Sequence, residues 1–240
     1  MEPWMVALGL NAGLAALAFA AGTVSRSGVI GGVIVGSAIY LCVGLPGWLM
    51  LVGFFVLGSA ASKLGYQRKA ALGVAQEDRG RRGAKHALAN CGTALACAIA
   101  FHFWPHPAWL FAYVGAFATA LSDTSASEIG QLYGKTPILI TTFKRVPVGT
   151  EGAVSLEGTL AGIAASLVLA LLAWAVGLAA GSAGLHFVWV IAVAAFVGNT
   201  LESYLGATIE GLKGIDNEVI NFANTVIGAG TAAALCLLVL

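Results

Sequence analysis

Two acidic side chains close an apolar stretch of the chain, in the hydroxyl-rich run at 122–130. They are Asp123 and Glu128, and Ser127 lies between them. An unpaired carboxylate at membrane depth costs several kcal/mol, so it needs a cation or a water-filled cavity. Carboxylate oxygens are hard ligands that suit Mg²⁺ beside a phosphate, so we predict a metal site at Asp123 and Glu128. The alternative is a helix end that Asp123 and the serines cap at the membrane surface.

Further polar groups occur near the C-terminus. Glu202 lies inside an apolar segment, and an intramembrane acid is a candidate functional residue and metal ligand. Asn217, Asn221 and Asn224 share one helical face. Such a stripe of amides is costly in a membrane helix unless it lines a polar cavity or bonds to other helices, so Asn221 and Asn224 are predicted to contact a bound polar group.

A turn rich in Gly, Ser and Thr follows the basic pair at 144–145 and opens a further helix. Backbone N–H groups at a helix start, with cations nearby, form an anion site. Thr150 and Gly152 lie in this turn, Ser155 is the predicted N-cap, and Glu157 falls in the first helical turn, where the helix dipole favours an acid. The alternative is an ordinary capped helix start.

Lys135 ends a run that resembles a nucleotide-binding P-loop. Only three residues separate Gly130 from Gly134, where that motif needs four, and Pro137 follows at once. A P-loop fold is therefore rejected, although Lys135 remains a candidate phosphate ligand.

The segment at 63–85 is strongly basic and includes Lys63 and Arg82. A basic cluster beside a membrane usually sets topology and attracts anionic headgroups, and the alternative is neutralisation of a bound phosphate. His86 and Asn90 follow on one helical face, where hydrogen bonding between helices is the commoner role.

Apolar helices must position these residues. Hydrophobic residues make up 59% of the 240 and charged residues 10%, whereas soluble domains carry about 25% charged residues. A bilayer crossing needs about 20 mostly apolar residues. We therefore predict an all-α polytopic membrane protein of about eight transmembrane helices, at 4–21, 28–44, 46–62, 86–103, 108–122, 158–180, 185–206 and 218–240.

The charges alternate along these connections. All 12 Lys and Arg fall near 26, within 63–85, within 135–145, or at 213, and every acid except Glu2 accompanies them. The positive-inside rule then puts both termini outside and these connections in the cytoplasm. We expect one transmembrane domain over 1–240 in a bacterial inner membrane, with long cytoplasmic loops at about 63–85 and 123–157, a cytoplasmic active site and no nucleic-acid partner.

Five runs resemble the membrane protein family that includes plant phytyl-phosphate kinase. They lie at 58–65, 86–90, 123–130, 146–152 and 221–225, and the resemblance covers roughly 30–230. The most specific is Asp-Thr-Ser-Ala-Ser-Glu-Ile-Gly at 123–130. That family is distantly similar to dolichol kinase, phytol kinase and CDP-lipid synthases.

The resemblance implies a CTP-dependent kinase that converts an isoprenyl monophosphate, of the phytyl or geranylgeranyl type, to the diphosphate. Catalysis would then rest on Mg²⁺ and cationic clamps. Glu157 stands where the family usually has a small residue, so it either adds a metal ligand or has no functional consequence. The implied phosphate and positioning residues are Lys63, Arg82, Asn90, Ser127, Lys144, Thr150, Ser155 and Asn221. The alternatives are a CTP:lipid-phosphate cytidylyltransferase and a transporter or flippase of a lipid phosphate.

Overall fold

The computed structural model describes residues 2–76, 78–179, 184–209, 212 and 214–239. Lys213, used above to predict topology, lies outside these ranges. Within them the chain is almost wholly helical, as predicted, and six helices are long and apolar enough to cross a membrane. The helices are α1 (Pro3–Ala20), α2 (Arg26–Lys63), α3 (Tyr66–Ala71), α4 (Ala84–Phe103), α5 (Pro107–Tyr133), α6 (Leu156–Ala175), α7 (Gly184–Ile209) and α8 (Asn217–Val239).

Helix α2 contains the two segments predicted at 28–44 and 46–62. It is broken at Gly44, whose φ of 76° lies in the left-handed region, and Pro46 follows two residues later. A β-carbon at Gly36 would lie 3.3 Å from Leu51 Cδ2. A straight helix would separate these residues by about 22 Å, so the two halves of α2 fold back on each other.

Helix α5 is the central element, since it packs against α2, α4, α6, α7 and α8. Its small residues allow close approach, and a β-carbon at Gly115 would lie 2.7 Å from Ala232 Cβ of α8. The predicted end of this helix at 122 is wrong, because α5 continues without a break to Tyr133. The connection predicted at 123–157 is correspondingly shorter, and Asp123, Ser127 and Glu128 are helical.

The charged connections meet at one end of the helical bundle. Lys63 Nζ donates to the Ala21 carbonyl at 2.8 Å, which joins the end of α2 to the end of α1. The backbone N–H of Arg82 donates to the Thr23 carbonyl at 2.9 Å, so the segment before α4 packs against the α1–α2 connection. The antiparallel pair β1 (Ile138–Leu139) and β2 (Ala153–Val154) orders the segment that leads into α6.

Candidate functional site

A polar cavity of about 790 Å³ occupies this end of the bundle. Its walls come from four parts of the chain: the last turns of α5, the segment 74–86, the segment 148–159, and the facing ends of α7 and α8. The cavity is therefore built where the predicted functional segments converge.

The α5 wall carries Asp123 and Ser127 one turn apart, so both side chains lie on the same face of the helix. Asp123 is half-buried and Ser127 is exposed. The Ser127 hydroxyl interacts with the Asp123 carboxylate, and Glu151 is close enough to add negative potential there. Asp123 thus presents a hard oxygen donor to the cavity.

Glu128 is held by a cation of the protein. Its carboxylate pairs with Lys69 Nζ of α3, and the two side chains are 3% and 0% exposed. Lys69 Nζ also donates to the Ser62 carbonyl at 2.9 Å. The sequence prediction of Glu128 as a metal ligand did not include this partner. The need of a buried acid for a cation was the available signal, but it did not distinguish Lys69 from the other basic residues of 63–85.

Arg82, just before α4, and His86, in its first turn, form one part of the cavity wall. Arg82 is only 6% exposed, and its guanidinium carbon lies 5.4 Å from the centroid of the Phe54 ring. Burial lowers the pKa of Arg82, while the charges of Glu128 and Glu218 raise it. His86 Nδ1 lies 3.3 Å from Glu218 Oε1, a pairing that was not predicted from the sequence.

The segment 148–155 and the start of α6 form the opposite wall. Ser155 is the N-cap of α6, as predicted, and its Oγ accepts from the Gly158 N–H at 3.1 Å. Gly152 has a φ of 70°, and a β-carbon there would lie 2.5 Å from the Ser203 carbonyl oxygen of α7. Only glycine therefore allows this turn to pack closely against α7. Thr150 also lines the cavity, so this segment stands where the sequence predicted an anion site.

The three asparagines on one face of α8 have two different environments. Asn217 and Asn221 line the cavity together with Glu202 of α7. Asn224 lies deeper, 1% exposed, and a β-carbon at Gly198 of α7 would lie 3.0 Å from its Oδ1. The structure thus places Asn221 beside a ligand-sized space and Asn224 at a helix–helix contact.

Several predicted ligands lie outside the cavity lining. Asn90 Nδ2 donates to the His86 carbonyl at 3.1 Å, within α4. Glu157 Oε2 accepts from the backbone N–H of Lys135 at 3.4 Å, so its carboxylate links the start of α6 to the segment just after α5. Three lysines that were predicted to bind phosphate are exposed and do not line the cavity: Lys63, Lys135 and Lys144.

Two basic residues that were not predicted as ligands lie at the cavity instead. Arg81 and Lys85 line it, and Lys85 pairs with Asp216, whose pKa this hydrogen bond lowers. In the part of the chain that the structure describes, no three His, Cys, Asp or Glu side chains converge as a preformed metal cage.

The chain has relatives across bacteria, plants and archaea. The family described as "Integral membrane protein DUF92" matches residues 9–229. "Uncharacterized membrane protein sll0875" of Synechocystis sp. is 43% identical, over 96% of this chain and 90% of its own length. "Protein VTE6, chloroplastic" of Arabidopsis thaliana is 38% identical, over 85% of this chain and 63% of its own. "Uncharacterized membrane protein MJ0933" of Methanocaldococcus jannaschii is 32% identical, over 85% of this chain and 82% of its own. No solved structure matches the chain.

Proposed function

Since the chain belongs to the integral membrane protein family DUF92, and Protein VTE6 of Arabidopsis thaliana is among its relatives, we propose that it has the activity that the sequence resemblance implies, phosphorylation of an isoprenyl monophosphate to the diphosphate. The family membership confirms the resemblance found in the sequence. The donor in this proposal is CTP, and the acceptor is of the phytyl or geranylgeranyl type.

The observation that carries the proposal is the joint placement of an acid, a cationic wall and a hydroxyl-rich turn around one cavity. Asp123 faces this cavity from α5, Arg82 from the segment before α4, and Thr150 from the turn before α6. A phosphate acceptor is already an anion, so the main barrier is repulsion between two polyanions. Preorganised cations and N–H groups lower that barrier without needing a strong general base.

The donor set of the cavity fits Mg²⁺. This ion usually takes one or two carboxylates from a protein and completes its shell with phosphate oxygens and water. Asp123 would supply one ligand, and Glu151 and Glu202 line the same space. Mg²⁺, when bound, neutralises charge on the phosphates. Glu128, which is paired with Lys69, instead orients the cationic wall beside Arg82.

We also propose a membrane placement. If the two halves of α2 cross separately and the buried helix α5 crosses as well, the described helices make eight crossings: α1, two from α2, α4, α5, α6, α7 and α8. An even number puts both termini on one side. Because the basic connections gather at the cavity end, the positive-inside rule supports a cavity that faces the cytoplasm, with both termini outside. Reporter fusions at each terminus of the protein, expressed in a bacterial inner membrane, test this orientation.

The function is tested with protein in lipid nanodiscs, supplied with geranylgeranyl or phytyl monophosphate, Mg²⁺ and each nucleoside triphosphate in turn. We expect the isoprenyl diphosphate and CDP as products. Asp123→Asn should lower kcat by about 100-fold or more, since several kcal/mol of charge stabilisation depend on the metal ligand. Glu2→Gln, which removes an acid before α1, should leave kcat unchanged.

Two outcomes would contradict the kinase assignment. Release of pyrophosphate with formation of a CDP-lipid would show attack at the α-phosphorus, and the enzyme would be a cytidylyltransferase. Absence of any product, together with Asp123-dependent movement of a lipid phosphate across proteoliposomes, would show a transporter.

A further inference from the structure

A second cavity, an apolar groove of about 90 Å³, lies between α1, both halves of α2 and the start of α4. Its walls are mostly aliphatic and aromatic, including Leu14, Val35 and Phe54. The groove meets the polar cavity directly, since Arg82, Gly83 and His86 line both spaces. One molecule with an anionic head and an apolar tail could therefore occupy the two together.

Polar atoms at this junction have unused hydrogen-bonding capacity. Arg82 Nε and Nη2 and His86 Nε2 are buried and have no hydrogen-bond partner among the described residues. An unsatisfied buried guanidinium is costly, and an anion that accepts two parallel hydrogen bonds would satisfy it. Glu128, whose charge is near Arg82, pairs with Lys69 through Oε2, and its buried Oε1 forms no hydrogen bond with Arg82 or with any other described residue. The junction therefore has donors available for a phosphate.

We propose that the phosphate of the acceptor lipid binds Arg82 and His86 at this junction, and that the first part of its isoprenyl chain lies in the apolar groove. The identity of the acceptor rests on the proposed function, whereas the groove and the junction are independent of it. The phosphate would then face Asp123 across the polar cavity, where the donor nucleotide of the proposed function would bind.

The size of the groove limits how much of the tail it holds. The lining residues Gly28 and Val35 of α2 are seven positions apart, as are Asn11 and Ala18 of α1. Seven residues of helix rise about 10 Å, but the groove volume of about 90 Å³ limits the buried part of the tail to the first isoprene unit. The rest of the chain would extend into the bilayer, so the protein should discriminate poorly between longer tails.

Gly32 offers a way to fill the groove without disturbing the backbone. It lines the groove, and a β-carbon built on it has no atom within 4 Å. Gly32→Leu should therefore occupy space meant for the tail. Gly13→Leu on α1 is the matched control, because Gly13 also has open space around it but does not line the groove.

The experiment uses a geranylgeranyl monophosphate that carries a photoreactive diazirine in its first isoprene unit, with the full-length protein in nanodiscs. We expect crosslinks in the groove-lining parts of α2 and α4, competed by geranylgeranyl monophosphate and not by geranylgeraniol. Gly32→Leu should reduce this labelling at least tenfold and raise the KM for the lipid acceptor, while the KM for the nucleotide stays unchanged. Gly13→Leu and the unaltered protein should behave alike.

The outcomes separate this inference from the proposed function. Kinase activity with equal labelling and equal KM in Gly32→Leu and Gly13→Leu would overturn the groove assignment and leave the kinase in place. Phosphate-dependent labelling of the groove without phosphoryl transfer would support the groove and overturn the kinase. Labelling that the alcohol competes as well as the phosphate would overturn the role of Arg82 and His86.

Discussion

Replacing Lys69 should destabilise the protein strongly, because its partner Glu128 is buried with it. The two side chains are 0% and 3% exposed. Lys69→Met keeps the length of the side chain and removes its charge, which leaves a buried carboxylate without its partner. Breaking a buried pair in this way costs about 3–5 kcal/mol. For a chain of this size each kcal/mol lowers Tm by about 2–4 °C, so the expected fall is about 6–20 °C.

Removing both charges should reverse most of this loss. The double variant Lys69→Met with Glu128→Gln leaves no uncompensated ion, and replacing both partners of a buried pair is often nearly neutral. The two substitutions should therefore be strongly non-additive, with a coupling energy of about 2–4 kcal/mol.

Unfolding in detergent can be followed with a fluorogenic thiol reagent, because Cys91, Cys97 and Cys236 are buried free thiols. Arg81→Gln is the control, since it breaks the exposed Arg81–Asp78 pair, whose side chains are 43% and 52% exposed. Such a pair contributes about 1 kcal/mol at most. Two results would refute this reasoning. One is a Tm for Lys69→Met equal to that of Arg81→Gln. The other is a double variant whose loss of stability equals the sum of the losses in Lys69→Met and Glu128→Gln.

Two smaller predictions use the same melting assay. Gly228→Ala should lower stability by about 1–3 kcal/mol, because the new β-carbon would overlap the Thr119 hydroxyl of α5. Gly230→Ala is the control, since its β-carbon has open space and the variant should be neutral. Equal Tm values for the two variants would refute the close α5–α8 contact. Ser155→Ala should lose about 1 kcal/mol by removing the α6 N-cap, and an unchanged Tm would show that the Gly158 N–H finds another acceptor.

Local sequence patterns were enough to predict the helical architecture and several cavity residues. Ser155 and Glu157 were recognised as a helix start because capping depends on residues within one turn. Asp123 and Asn221 were singled out because polar groups in apolar helices need a polar environment, and Thr150 because it lies in the turn predicted to bind an anion. All three line the cavity. Their roles as ligands stay predictions.

Some assignments failed because hydropathy measures transfer of a segment into lipid. The transmembrane segment of α5 was predicted to end at 122, since an acid and several hydroxyls follow. The helix nevertheless continues to Tyr133, and these side chains face the polar cavity or are buried in the protein. Asn221 and Asn224 share one helical face, and only the neighbouring helix α7 decides that one meets the cavity and the other a packed contact.

By itself the sequence determined that this is a helical membrane protein whose charges alternate from one connection to the next, because composition and spacing act locally. Only the tertiary structure decided which cation meets which acid. Lys69 and Glu128 are 59 residues apart, and Lys63, in the same basic segment, bonds to a carbonyl of the α1–α2 connection instead. Such pairings depend on how the helices pack, and no pattern within one segment of the chain records them.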